Sequence, residues 1–203
     1  MSSVHQSASR SLKISNSHSK KKPLVHAKKN LVESKLIFVL GGARSGKSSF
    51  ALQQGKAHSP RAFLATAEPL DAEMAIRIQK HKRSRGSGWT TFEIPVQLAE
   101  WFTEQGGNYS SVVVDCLTLW LNNILREKIR PRQIPTHVRK FLKAMRASSG
   151  QIVIVSNELG LGLVPGDSVS REFRDMAGRM NQLVAAEADE VHFLVSGIPL
   201  RLK

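Results

Sequence analysis

Lys47 and Ser48 close an eight-residue run, Gly41-Gly42-Ala43-Arg44-Ser45-Gly46-Lys47-Ser48, that fits the pattern G-x-x-x-x-G-K-[ST]. Those types at that spacing are suited to holding phosphates. Gly41 and Gly46 let the backbone turn tightly and approach an anion with no Cβ in the way. The main-chain N–H groups of the loop and of the helix that follows then converge on the phosphate oxygens. Lys47 can reach the β- and γ-phosphates, and the Ser48 hydroxyl can hold Mg²⁺. An accidental glycine-rich turn would require no particular flanks. Here five apolar residues, Leu36 to Leu40, precede the run and a helical pattern follows it, which is the context a phosphate-binding loop requires.

A second group of residues could also do chemistry. Arg77, His81 and Arg85 recur every four residues, so on a helix they share one face. Lys80, Lys82 and Arg83 flank the imidazole. Two readings stay open on position alone. In one, His81 is a surface histidine at the end of a solvated basic helix, the usual meaning of a charge run. In the other it is a nucleophile: a neutral imidazole attacks phosphorus while its cationic neighbours draw in the phosphates and disfavour a further positive charge on the ring. A third candidate is Asp115, at the end of the apolar run Ser111-Val112-Val113-Val114. An acid there can enter a Mg²⁺ shell or contact a nucleotide, or it can cap the next helix. Cys116 beside it reads as packing, and His192, alternating with apolar neighbours, as structural.

The elements that must position these residues alternate. Buried-strand patterns occur at Leu36–Leu40, Ala62–Thr66, Ser111–Asp115, Gln151–Ser156 and Glu190–Ser196. An extended stretch runs over Trp89–Glu93, and an edge strand is expected near Ile198–Leu202. Helical patterns cover Ser49–Lys56, Asp71–Lys82 with Asp71 as N-cap, Val96–Glu104, Thr118–Glu127, the residues after Pro135 to about Ala147, and Asp167 or Ser168 to Ala188. Met74 and Ile78 should face the core. Pro131–Pro135 should be a loop. Arg171, Arg174, Asp175, Arg179 and Asn181 should line the polar side of the last helix. Strand–helix alternation implies an α/β fold, a mostly parallel sheet with helices on both faces. In such sheets ligands bind at the carboxyl ends of the strands, which brings Ala65-Thr66-Ala67 into play.

Composition sets outer limits. The chain has 203 residues, 41% hydrophobic, enough for one α/β domain (34–203) with a sizeable core. No stretch approaches the roughly 18 apolar residues of a membrane span. One cysteine allows no intrachain disulfide, and a reducing cytoplasmic setting is expected. The net charge of +14 suits anionic ligands, but zinc-finger spacing and RNP-type aromatics are absent, so nucleic acid is not expected as a partner. Residues 1–33, with seven Lys or Arg against one Glu, read as a disordered basic tail.

Several separated segments resemble the bifunctional adenosylcobinamide kinase / adenosylcobinamide-phosphate guanylyltransferase family of cobalamin biosynthesis. They are GGARSGKS at Gly41–Ser48, DAEMAIRIQKHK at Asp71–Lys82, WTTFE at Trp89–Glu93, SNELGLGLVP at Ser156–Pro165, FRDMAGRMNQ at Phe173–Gln182, ADEV at Ala188–Val191 and VSG at Val195–Gly197. The resemblance implies a RecA-like P-loop NTPase fold and a homotrimer. It places His81 on the family's guanylylated histidine. By implication His81 attacks the α-phosphorus of GTP, and pyrophosphate leaves toward Mg²⁺ and the P-loop. The phosphate of adenosylcobinamide phosphate then takes the guanylyl group, giving adenosylcobinamide-GDP. A kinase step, fed by ATP or GTP, phosphorylates the aminopropanol hydroxyl of adenosylcobinamide. The same match makes Gly41 to Ser48, Ala65, Thr66, Ala67, Lys82, Arg83, Ser84, Arg85, Glu93 and Asp115 nucleotide contacts, with Ser48 and Asp115 toward the metal. Two positions depart from the family pattern: Lys80 stands where some members carry a second histidine, and Asp115 where glutamate is common.

Overall fold

The computed structural model describes residues 34–203, with Ser84 as backbone only, so the expected tail (1–33) lies outside the described residues. The strands are β1 (Lys35–Gly41), β2 (Arg61–Ala65), β3 (Thr90–Glu93), β4 (Ser111–Asp115), β5 (Gln151–Val155), β6 (Glu190–Val195) and β7 (Ile198–Arg201). The helices are α1 (Lys47–Gly55), α2 (Ala72–Ser84), α3 (Leu98–Gln105), α4 (Leu117–Arg126), α5 (Ile134–Arg146) and α6 (Ser168–Glu187). The strands form one seven-stranded sheet in the order β3-β2-β4-β5-β1-β6-β7. The pairs among β1 to β6 are parallel, and β7 returns antiparallel beside β6. All the carboxyl ends of the first six strands therefore share one edge, and the candidate residues come from that edge.

Period-two alternation divides the apolar residues between the faces. Leu36, Phe38, Leu64, Val112, Val114, Ile152 and Ile154 pack against α3, α4, α5 and α6, whose contributions include Leu98, Leu121, Phe141, Met145 and Val184. Ile37, Val39, Phe63, Val113, Val153 and Val155 pack on the other side against Ala51 of α1 and against Trp89. Fully burying each such side chain stabilises the fold by about 1.5–3 kcal/mol, which explains why the strands read as near-continuous apolar runs.

The expected N-caps are present. Asp71 Oδ1 accepts from the Met74 N–H at 2.7 Å, and Asp167 Oδ1 from the Ser170 N–H at 2.8 Å. Three expectations need correction. The stretch 131–135 is not a plain loop: Pro131–Gln133 forms a 3-10 turn, and α5 starts at Ile134 with Pro135 in its first turn. Proline fits there because first-turn N–H groups have no intrahelical acceptor to lose. Met74 and Ile78 are only half-buried and belong to neither apolar cluster, while Ile76 beside them is 70% exposed. Two apolar residues make too narrow a stripe to seat α2 on the sheet. Asn181 is buried on α6, not solvated; its Nδ2 donates to the Asn157 carbonyl at 3.1 Å.

Asp189 joins three elements at the opposite sheet edge. Its Oδ2 accepts from the Leu36 N–H at 2.6 Å and from Arg146 Nη1 at 2.9 Å, and its Oδ1 accepts from Arg146 Nη2 at 3.2 Å. The Arg146 hydrogen bonds first, and the Leu36 N–H after them, hold its carboxyl below the usual aspartate range. The folded pKa is depressed, so this stabilisation is complete above the unfolded value of about 4 and is lost as pH falls through the folded value. Asp189→Asn should therefore melt below the parent at pH 7, by a few degrees, with the gap closing below about pH 4 in thermal unfolding.

Candidate active site

The loop between β1 and α1 is tightly closed. Gly41 has φ 151° and Gly46 φ 93°. A Cβ on Gly41 would lie 2.6 Å from the Leu194 carbonyl oxygen and 2.7 Å from Ser45 Oγ, so no side chain fits there. Gly42, Ala43 and Arg44 are exposed at the rim, Ser45 and Lys47 are buried, and Gly46 and Ser48 are half-buried. Lys47 Nζ reaches back across the loop to the Gly42 carbonyl at 2.6 Å and lies 3.5 Å from Ser45 Oγ. Burial pushes the Lys47 ammonium below the usual lysine range, opposed by the fields of Cys116 and Asp115. A bound polyphosphate would supply the counter-charge this desolvated ammonium needs.

The turn after β6 braces the loop. Ser196 and Gly197 have φ of 50° and 85°, the positive values that a two-residue hairpin prefers. The Gly197 N–H donates to the Ser45 carbonyl at 2.9 Å. Ser-Gly between two apolar runs was the available sequence signal for this contact.

The sites on β2 and β4 interlock. Thr66 is fully buried, and its hydroxyl accepts from the Cys116 N–H and donates to the Cys116 carbonyl, both at 2.8 Å. Its N–H donates to the Asp115 carbonyl, and its own carbonyl accepts from Asn123 Nδ2 at 2.7 Å. Thr66 thus spends its polar atoms fixing the strand that carries Asp115. Ala65 is buried below it and Ala67 is half-buried above it. Cys116, not Asp115, holds the N-cap position of α4 and makes no side-chain cap bond there, so capping is not the use of the Asp115 carboxylate. Burial pushes the Cys116 thiol up to about 12 and keeps it protonated, in line with packing.

The end of α2 is tied down although its middle is not. Lys82 pairs with Glu93 at the end of β3. Arg85, the C-cap residue, is buried with its guanidinium 3.7 Å from the Phe63 ring centroid, and Nη1 donates to Thr91 Oγ1 at 3.3 Å. Burial lowers the Arg85 pKa, while Asp115 and then Glu93 oppose the shift. His81 and Arg83 are exposed in the last turn of α2, and Arg77 pairs loosely with Glu73 at 3.9 Å. His192, by contrast, is structural: Nε2 lies 3.1 Å from Glu190 Oε2 and its ring packs 5.1 Å from that of Phe50.

Ser48 and the half-buried Asp115 offer hard oxygen donors, and no group of three or more His, Cys, Asp or Glu that could hold a metal ion occurs among the described residues. That donor set fits Mg²⁺ carried in on nucleotide phosphates, which needs only one or two protein oxygens.

Fold and site together define an α/β protein of the P-loop kind, with its glycine-rich loop and its acid-tipped strand separated by a single strand. The chain belongs to the cobinamide kinase / cobinamide phosphate guanyltransferase family, whose model matches residues 37–202. It is 39% identical over 169 residues to the bifunctional adenosylcobalamin biosynthesis protein CobP of Pseudomonas aeruginosa, covering 81% of this chain and 95% of that one. It is 36% identical over 181 residues to the corresponding CobU of Salmonella typhimurium, covering 83% and 99%. Among solved structures, the flagellar accessory protein FlaH of Methanocaldococcus jannaschii aligns with a TM-score of 0.48 at 12% identity, over 85% of this chain and 80% of that one. No helix among the described residues is long and apolar enough to cross a membrane.

Proposed function

We propose that this chain phosphorylates adenosylcobinamide and then transfers GMP from GTP to adenosylcobinamide phosphate through a guanylyl group carried on His81. The observation that carries the reading is geometric. The P-loop leaves the carboxyl end of β1 with Lys47 turned onto the Gly42 carbonyl, and the end of α2, the helix that bears His81, is anchored at the same sheet edge by Arg85 on Phe63 and Thr91 and by the Lys82–Glu93 pair. Family membership supports the overall reaction.

GTP lies with its phosphates on the N–H groups of Gly42 to Ser48 and on Lys47. Ser48 and Asp115 would hold Mg²⁺ carried in on the phosphates, and the ion would supply neutralisation of phosphate charge. An unprotonated nitrogen of His81 attacks the α-phosphorus. A P–N bond forms, the bond from the α-phosphorus to the bridging oxygen breaks, and its electron pair leaves with pyrophosphate. Lys82, Arg83 and Arg85 stand around this turn, Lys82 being oriented by Glu93 and Arg85 by Phe63 and Thr91. A phosphate oxygen of adenosylcobinamide phosphate then displaces the histidine and restores it. Placement and charge neutralisation supply most of the acceleration in both steps. By the same resemblance the chain works as a homotrimer in the cytoplasm and uses ATP or GTP as kinase donor.

The test is a chase. Full-length protein incubated with α-labelled GTP and Mg²⁺ should carry an acid-labile label, and unlabelled adenosylcobinamide phosphate should move that label into the corrinoid product. A label appearing in product without ever residing on protein would exclude the relay.

A further inference from the structure

Four carboxylates stand just beyond the carboxyl ends of β2 to β5, and three are committed. Glu68 pairs with Arg126 at 2.7 Å, Glu93 pairs with Lys82, and Asp115 is the acid that the proposed function assigns to Mg²⁺. The fourth is Glu158. Its strand, β5, lies between β1, which leads into the P-loop, and β4, which ends in Asp115. Glu158 therefore emerges between the two halves of the nucleotide site.

Its backbone is held at each step. The Ser156 N–H donates to the Val39 carbonyl at 3.0 Å, and the Glu158 N–H donates to the carbonyl of Gly41, the first glycine of the loop, at 3.1 Å. Between them, the Asn157 N–H donates to Thr118 Oγ1 at 2.9 Å, and its carbonyl accepts from Asn181 Nδ2 at 3.1 Å. The half-buried carboxylate is oriented too, because Oε1 accepts from the Gly160 N–H at 2.7 Å. A Cβ at residue 160 would lie 2.9 Å from that oxygen, so a side chain there would make the carboxylate shift. Oε2 makes no hydrogen bond among the described residues. The loop that follows exposes Leu161 at 78% and Leu163 at 97%, an apolar surface beside an oriented carboxylate.

We propose that Glu158 is the general base of the kinase step, and that Leu161 and Leu163 meet the apolar periphery of the corrinoid acceptor. The inference rests on the kinase half of the proposed function and is independent of the His81 relay. The acceptor hydroxyl gives its proton to Glu158 Oε2 as its oxygen bonds to the γ-phosphorus. The bond from that phosphorus to the bridging oxygen breaks, and its electron pair leaves with the nucleoside diphosphate. The proton on Glu158 passes to solvent after product departs. Asp115 is unsuited to this part because the proposed function already assigns its carboxylate to Mg²⁺.

The experiment measures corrinoid phosphorylation and GTP-dependent labelling of His81 in the same full-length preparations. Glu158→Gln should lower the phosphorylation kcat by about 10²-fold or more, the size of a general-base contribution, with corrinoid KM changed by less than about threefold. The acid limb of the parent's kcat–pH profile should disappear, and Glu158→Asp should recover part of the rate. Labelling of His81 should stay within about threefold of the parent. Leu163→Ser should raise corrinoid KM and leave kcat near the parent's. A Glu158→Gln kcat within about threefold of the parent overturns the proposal. Equal loss of both half-reactions overturns it as well, because Glu158 would then merely brace the loop. A parent that phosphorylates the corrinoid but never labels His81 contradicts the relay and leaves the assignment of Glu158 standing.

Discussion

Lys47→Ala is expected to remove both half-reactions. Corrinoid phosphorylation and His81 labelling should each fall by about 10²–10³-fold in kcat/KM, roughly 2.7–4 kcal/mol of transition-state stabilisation. The size follows from placement. Lys47 is 7% exposed as a residue and its ammonium donates to the Gly42 carbonyl, so its charge is screened less than a surface lysine's. Both transfers place their developing negative charge on the same run of phosphates, and Lys47 is the buried cation of that loop. Fold stability should change little, because the cost of desolvating the amine disappears with it. Steady-state assays of each half-reaction beside a thermal melt check all three statements. Loss of only one activity would show that the two transfers do not share the loop.

The second large effect is selective. His81→Ala should abolish the label from α-labelled GTP, while corrinoid phosphorylation stays within about threefold of the parent. His81 is the nucleophile of the proposed relay, so the expected loss is the whole covalent pathway. Stability should be unaffected: His81 is exposed on α2, a helix that contributes to neither apolar cluster, and surface substitutions of that kind fall within about 0.5 kcal/mol. Equal labelling of mutant and parent would remove His81 from the mechanism. Loss of kinase activity as well would mean that α2 also serves the acceptor.

Much of the fold was legible because its signals are local. Apolar runs rich in β-forming residues marked β1, β4, β5 and β6, the eight residues of the P-loop fixed the β1–α1 turn, and Asp71 signalled its helix as N-cap, as did Asp167 or Ser168, of which Asp167 is the cap. What escaped depends on contacts distant in sequence. The i, i+4 pair Met74 and Ile78 has the spacing of a core stripe, yet only the folded chain reveals that α2 lacks enough apolar surface to settle. Arg85 reads as one more cation in a basic run, but Phe63, in another strand, draws it into a buried site. Asn181 looks solvated among charged neighbours until its bond to Asn157 is seen. Thr66 reads as the end of a strand, and only the folded chain shows that its hydroxyl fastens β2 to the backbone after β4. Ser196-Gly197 between two apolar runs signals a turn, but that this turn braces the P-loop, about 150 residues away in sequence, is visible only in the folded chain. His81 is the converse case: its role was suggested by resemblance, and exposed basic neighbours alone would have left it a surface residue.

The most direct test is intact-mass analysis of the full-length chain after incubation with GTP and Mg²⁺, followed by peptide mapping. The account predicts a gain of one GMP moiety per chain, located on the peptide that contains His81 and absent when GTP is replaced by a β,γ-only phosphate donor lacking guanosine. An unmodified mass under conditions where adenosylcobinamide-GDP is being formed, or the adduct on any other residue, would contradict it.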